Sequence, residues 1–192
     1  MNRTILFSTL FYTIERHQYV LLLQQTYSQI ETIMNKQLNS IALDVDNSKK
    51  LAEKLNHLLA DYHLFYMNTR GYHWNIKGHK FFELHVKFEE LYTDLAVKID
   101  EVAERILTLG HTPLHTFTDL LEHSDVKPTK NVSDGFEAVQ HILDSFRIII
   151  AAQRELLHLS GDADDEGTNA LMSDYITEQE KTVWMYNSYL GK

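Results

Sequence analysis

Five side chains between positions 73 and 104 are of the types that bind transition metals: His73, His85, Glu89, Asp100 and Glu104. His85 and Glu89 are four residues apart, as are Asp100 and Glu104, and residues so spaced share one face of a helix. Glu89 and Asp100 are eleven residues apart, and three helical turns take about 10.8, so both pairs fall on one stripe. They also stand about 16 Å apart along the axis. A metal–ligand bond is only about 2 Å long, so one chain cannot bring both pairs to one ion. Two identical helices packed antiparallel about a two-fold axis near Asp94 solve this. His85 and Glu89 of one subunit then face Asp100 and Glu104 of its mate, and the symmetric interface builds the site twice. His73, at the end of the preceding helix, completes the nitrogen ligands. Imidazole and carboxylate ligands without thiolate suit iron, manganese or zinc.

The elements that must position these residues are helices. Leu51, Leu55, Leu58, Leu59, Tyr62, Phe65 and Tyr66 recur at helical spacing over 46–76, with Asp46, Asn47 and Ser48 as capping side chains. Gly71 within that helix marks close packing, and Gly78 ends the segment in a turn. A second helix over 80–109, about 45 Å long, carries four of the five candidate ligands and stops at Gly110 and Pro113. A short helix is expected over 115–123, a third long one over 133–159 and a fourth over 168–190. The expected fold is all-α: a four-helix bundle with a short extra helix in the connection between helices two and three. That long connection crosses the bundle and leaves helices two and three parallel.

Composition sets outer limits. The 192 residues make one domain with a real core, and 2 Pro and 7 Gly fit long uninterrupted helices. No Cys is present, which excludes disulfides, a thiolate metal site and a Cys nucleophile, and fits a reducing compartment. A net charge of −9 suits cations and opposes a phosphate backbone. Residues 1–33 read differently from the rest: an apolar run over 5–14, then Glu15, Arg16 and His17, then a second run over 19–23. No span approaches the roughly 20 apolar residues of a membrane helix. A secretory signal is one reading, but no small-residue cleavage site follows the run. The favoured reading, ahead of a functional N-terminal arm, is an N-terminal extension from an upstream start codon, with translation beginning at Met34 and a complete domain over 34–192.

Several other features carry a competing chemistry. Glu155 and His158 form an ExxH element, the unit that di-iron carboxylate bundles use, but such a site needs two of them. Trp74, with Tyr72 nearby, is read first as packing and second as a trap for stray oxidising equivalents. The acidic loop of Asp162, Asp164, Asp165 and Glu166 is an ordinary solvated turn, or lines a cation opening if subunits meet there about a three-fold axis. The remaining histidines, His17, His57, His63, His111, His115, His123, His141 and His158, are read as packed or surface residues.

The motifs His73-Trp74-Asn75, Gly78, Phe82-Glu83-Leu84-His85, Asp100-Glu101-Val102-Ala103-Glu104-Arg105 and Asp165-Glu166-Gly167-Thr168 occur in an order that resembles the Dps family, the mini-ferritins, over residues 34–192. The resemblance implies a ferritin-like bundle assembled into a hollow homododecamer in the cytoplasm, with ferroxidase sites at its two-fold interfaces. It implies oxidation of Fe2+, preferentially by hydrogen peroxide, and storage of Fe3+ as mineral, with iron as the metal. The family's two His and following acid match His73, His85 and Glu89, and its partner-subunit acids match Asp100 and Glu104. Many members have Asp where this chain has Glu89, whose extra methylene lets it bind directly or through water. Many also bind DNA through Lys-rich tails. Here Lys36, Lys49, Lys50 and Lys192 are sparse, so strong DNA binding is not expected.

Overall fold

The computed structural model describes residues 18, 20–28 and 37–192. The chain divides into two compact units, Met1–Gln37 and Leu38–Lys192. In the first, residues 20–28 are helical with exposed side chains. The apolar run over 5–14 and the expected start at Met34 lie outside the described residues.

The second unit holds five helices: α1 (Val45–Asn75), α2 (Phe81–Thr108), α3 (Phe117–His123), α4 (Gly135–Asp162) and α5 (Glu166–Tyr189). Among the described residues the only strand-like feature is an isolated bridge between Leu38 and Asp44, and no helix is long and apolar enough to cross a membrane. Starts are fixed by side chains that accept otherwise orphaned backbone N–H groups. Asp44 accepts from Asn47 N, Thr116 from Asp119 N, Asp134 from Glu137 N and Asp165 from Thr168 N. The cap of α1 is therefore Asp44, two residues before the expected cluster: Asp46 and Asn47 already lie in the first turn and Ser48 is buried. Gly78 at φ 98° and Gly110 at φ 90° occupy the left-handed region after α1 and α2, where a side chain would be strained. The expected close packing at Gly71 is not found among the described residues, because an added Cβ would meet nothing within 4 Å.

Helix directions follow from which residues meet. Tyr66 lies against Tyr92 and His73 against His85, so α1 and α2 are antiparallel. Tyr62 bonds Gln153 and Phe65 packs on Phe146, which makes α4 antiparallel to α1 and parallel to α2. Lys98 reaches Glu178 and Arg105 reaches Asp165, so α5 runs against α2. The bundle is up-down-down-up, as the long connection requires. Leu55, Leu58, Tyr62, Phe65, Phe88, Leu95, Val102, Ile106, Phe146 and Ile149 fill its centre.

The crossover is stitched along α1 by polar side chains. Asn56 donates to Thr112 O (3.2 Å) and accepts from Leu114 N (2.7 Å). Asn68 repeats the arrangement with Lys127 O and Thr129 N, each at 2.9 Å. Between them, buried Asp61 accepts from Ser124 Oγ, Asp125 N and Val126 N at 2.8, 2.7 and 3.0 Å. Burial raises the Asp61 carboxyl above its ordinary value, against the pull of those bonds.

Candidate metal centre

The turn from 76 to 80 brings the end of α1 against the first turns of α2, which is why residues twelve apart in sequence touch. His73 Nδ1 lies 2.8 Å from His85 O, and His85 Nδ1 lies 2.9 Å from His73 O. A carbonyl oxygen only accepts, so both Nδ1 atoms carry a proton, and in the neutral ring this tautomer leaves the Nε2 lone pair available to a metal. The rings stack at 3.7 Å between centroids with 19° between planes, and Phe81 stacks on the outer face of His85 at 5.0 Å. Two imidazoles are thus locked side by side before any ligand arrives.

Glu89 follows one turn after His85, exposed, and accepts from Tyr92 Oη at 3.3 Å. Tyr92 also sets its ring edge-on to His73 at 5.3 Å. Desolvation first, and then the Glu89 charge, hold the Tyr92 phenol above its ordinary value. Asp100 and Glu104 are exposed on the same uninterrupted helix, further along it. Among the described residues no three His, Asp or Glu side chains converge on a common point. The chain brings His73 and His85 together, sets Glu89 one turn further along α2 against Tyr92, and leaves Asp100 and Glu104 further along the helix, as a straight α2 demands.

The other acids of α2 are committed elsewhere. Asp94 and Glu178 both hold Lys98, which is 3% exposed, at 2.5 and 2.9 Å. Burial raises the Asp94 carboxyl against the pull of Lys98. Glu101 accepts from Tyr175 Oη at 2.5 Å, and burial followed by this bond raises that phenol. Asp94 therefore points toward α5, and the exposed residues between Glu89 and Asp100 are Glu90, which pairs with Lys87 at 2.5 Å, and Thr93, Ala96 and Val97. The last three are small and uncharged, so a second helix can approach there.

The competing features resolve differently. Glu155 is exposed and paired with Lys54 at 2.7 Å, and His158 is exposed, so the ExxH element faces out of the bundle. Inside, Gln153 and Gln179 donate to Tyr62 Oη at 2.7 and 2.6 Å, and no carboxylate takes part. Asp165, expected on a solvated or channel-lining loop, is buried: it caps α5 and pairs with Arg105 Nη2 at 2.5 Å. Asp162, Asp164 and Glu166 of that loop are exposed.

Tyr72 is also not a neighbour of the exposed Trp74 ring. Its side chain is buried, its hydroxyl accepts from Thr129 Oγ1 at 2.9 Å, and burial pushes its pKa up to about 12. The aromatic group beside His73 is built instead around Arg70. The guanidinium carbon lies 5.4 Å from the Tyr66 ring, 4.9 Å from Trp74 and 5.5 Å from Tyr92, and Nη1 donates to Tyr66 Oη at 2.8 Å. Sequence reading missed this group. Its signal was the four-residue spacing of Tyr66, Arg70 and Trp74.

A family model described as a ferritin-like domain matches residues 52–192. The DNA protection during starvation protein of Porphyromonas gingivalis is 40% identical over 159 residues, spanning 83% of this chain and 100% of its own. An uncharacterized protein of Haemophilus influenzae is 52% identical over 149 residues, covering 78% of this chain and 93% of its own. Among solved structures, a Dps protein from Vibrio cholerae O1, described as a member of a broad superfamily of ferritin-like diiron-carboxylate proteins, superposes with a TM-score of 0.79. It shares 57% identity over 80% of this chain and 96% of that one.

Proposed function

The chain belongs to the Dps branch of the ferritin-like family, and from that premise we propose that it is a ferroxidase acting on Fe2+ at sites shared between two copies. One half-site is His73, His85 and Glu89; the other is Asp100 and Glu104 from a second copy whose α2 runs antiparallel across the first. The observation that carries the reading is the locked pair of imidazoles, one from the end of α1 and one from α2, with Asp100 and Glu104 exposed further along α2 and without side-chain partners among the described residues. Thr93, Ala96 and Val97 support it, because these small uncharged residues leave room for two helices to pack closely, and the exposed Glu90 beside them is paired with Lys87.

The substrate iron is drawn by the acidic surface of a chain with net charge −9 and captured by two nitrogens and three carboxylates. Carboxylate oxygens favour the ferric product. Hydrogen peroxide is the proposed oxidant: two Fe2+ each give one electron, the O–O bond breaks, and two protons complete two waters. The two-electron route releases no hydroxyl radical. Fe3+ then passes to the interior of a hollow dodecamer and is stored as mineral, protecting the cytoplasm in which the protein works. The test is oxidation of Fe2+ on addition of H2O2, in the purified protein and in the His85→Ala/Asp100→Ala variant. Loss of rate in the variant is expected, and equal rates refute the site.

A further inference from the structure

Among the described residues Arg70 is a cation without a counter-charge. It forms no ion pair among the described residues, and its Nε is buried with no acceptor. Three aromatic rings and the bond to Tyr66 hold the guanidinium in place, leaving N–H groups free on one side. A buried donor without an acceptor is an uncompensated cost that native proteins rarely carry. Nε is covered by the chain itself, but Nη2 is not buried and has no acceptor among the described residues, so it is the group that a carboxylate of a second copy can reach.

The antiparallel packing of α1 on α2 fixes the level of Arg70. His73 lies beside His85, and Tyr66 lies beside Tyr92, so Arg70 falls at the level of Glu89 and Tyr92. In the shared-site arrangement His85 faces Glu104 of a second copy, and Glu89 faces Asp100. Asp100 has no side-chain partner within its own chain among the described residues. We propose that Arg70 pairs with Asp100 of a second copy across the two-fold interface and positions that carboxylate beside the imidazoles. A guanidinium fork takes one oxygen of the carboxylate and leaves the other for metal. The caged cation makes docking of the two half-sites depend on charge, with or without iron.

The inference rests on the shared-site reading, and the two fail separately. The test is a double-mutant cycle on dissociation of the full-length, metal-free assembly, followed by sedimentation velocity from low to high NaCl. Arg70→Gln keeps a donor for Tyr66 and removes the charge; Asp100→Asn removes the other charge. Each single variant is expected to weaken assembly about tenfold or more at low salt and to flatten its salt dependence. The double variant is expected to be no worse than either single one. Additive losses, or an Arg70→Gln protein that assembles with unchanged salt dependence, overturn the proposal. If Arg70→Gln fails to fold, Arg70→Lys takes its place; it is expected to retain salt dependence that Asp100→Asn abolishes, and retention in both refutes the pair. Additive losses alongside recovered oxidation in mixed His85→Ala and Asp100→Ala subunits remove only Arg70 from the account. Absence of that recovery removes the shared site itself.

Discussion

Replacing Asp165 separates a structural role from a role in iron passage. Its carboxylate holds Arg105 Nη2 at 2.5 Å, accepts from Thr168 N at 3.0 Å and accepts from Thr168 Oγ1 at 2.6 Å. Arg105 Nε in turn donates to Thr168 Oγ1 at 2.9 Å. Gly167 is part of the same joint, because a Cβ there would sit 2.9 Å from Arg105 Nη1. Asp165→Ala removes the cap of α5, worth about 1 kcal/mol. It also strands a largely buried Arg105, and breaking such a pair costs about 3–5 kcal/mol. Thermal unfolding at fixed protomer concentration should fall by roughly 8–24 °C, since a chain of this size loses about 2–4 °C per kcal/mol. Asp165→Asn keeps the cap and should lose less. Oxidation rate per folded assembly should be unchanged at a temperature where the variant is intact. A variant as stable as the parent that takes up iron more slowly would refute the argument and return Asp165 to a channel.

Other consequences are more local. Asn68→Ala removes two hydrogen bonds that hold residues 127–129, so it should cost about 2 kcal/mol and speed proteolysis within the crossover while leaving α2 protected. His63 is half-buried, and burial lowers its pKa below the ordinary value of 6.5. Its contribution to stability is present above that value and is lost as pH falls through the lower, folded value. His63→Gln should therefore flatten the loss of stability from neutral pH down through that range, read by urea midpoints. With a net charge of −9 per chain, no retarded DNA band is expected at physiological salt, and one at that salt would contradict this reading.

The helices were legible because apolar residues recur at helical spacing over long runs, as from Leu51 to Phe65, and the half-site spacing was legible because α2 has no internal break. The parallel course of α2 and α4 followed from the length of the connection alone. What sequence could not give were interactions whose partners are distant in the chain. Asp44 displaced the Asp46 cluster as cap because the chain enters the helix one step after it. Asp165 looked like a loop acid because Arg105 lies sixty residues away. Tyr92, not Tyr72, stands beside His73 because Tyr72 falls on the core face of α1 and Tyr92 on the facing side of α2. Periodicity names a face, but which neighbour fills it depends on helix pairing.

The central claim is that each metal centre is made from two copies, and mixing disabled subunits tests it most directly. His85→Ala chains and Asp100→Ala chains are unfolded together, refolded in equal amounts and assayed for Fe2+ oxidation by H2O2. Random pairing makes half of the two-fold interfaces mixed, and each mixed interface has one intact and one doubly damaged site. The account predicts recovery to about one quarter of the parent rate from two nearly inactive proteins. A mixture no more active than its components would contradict it.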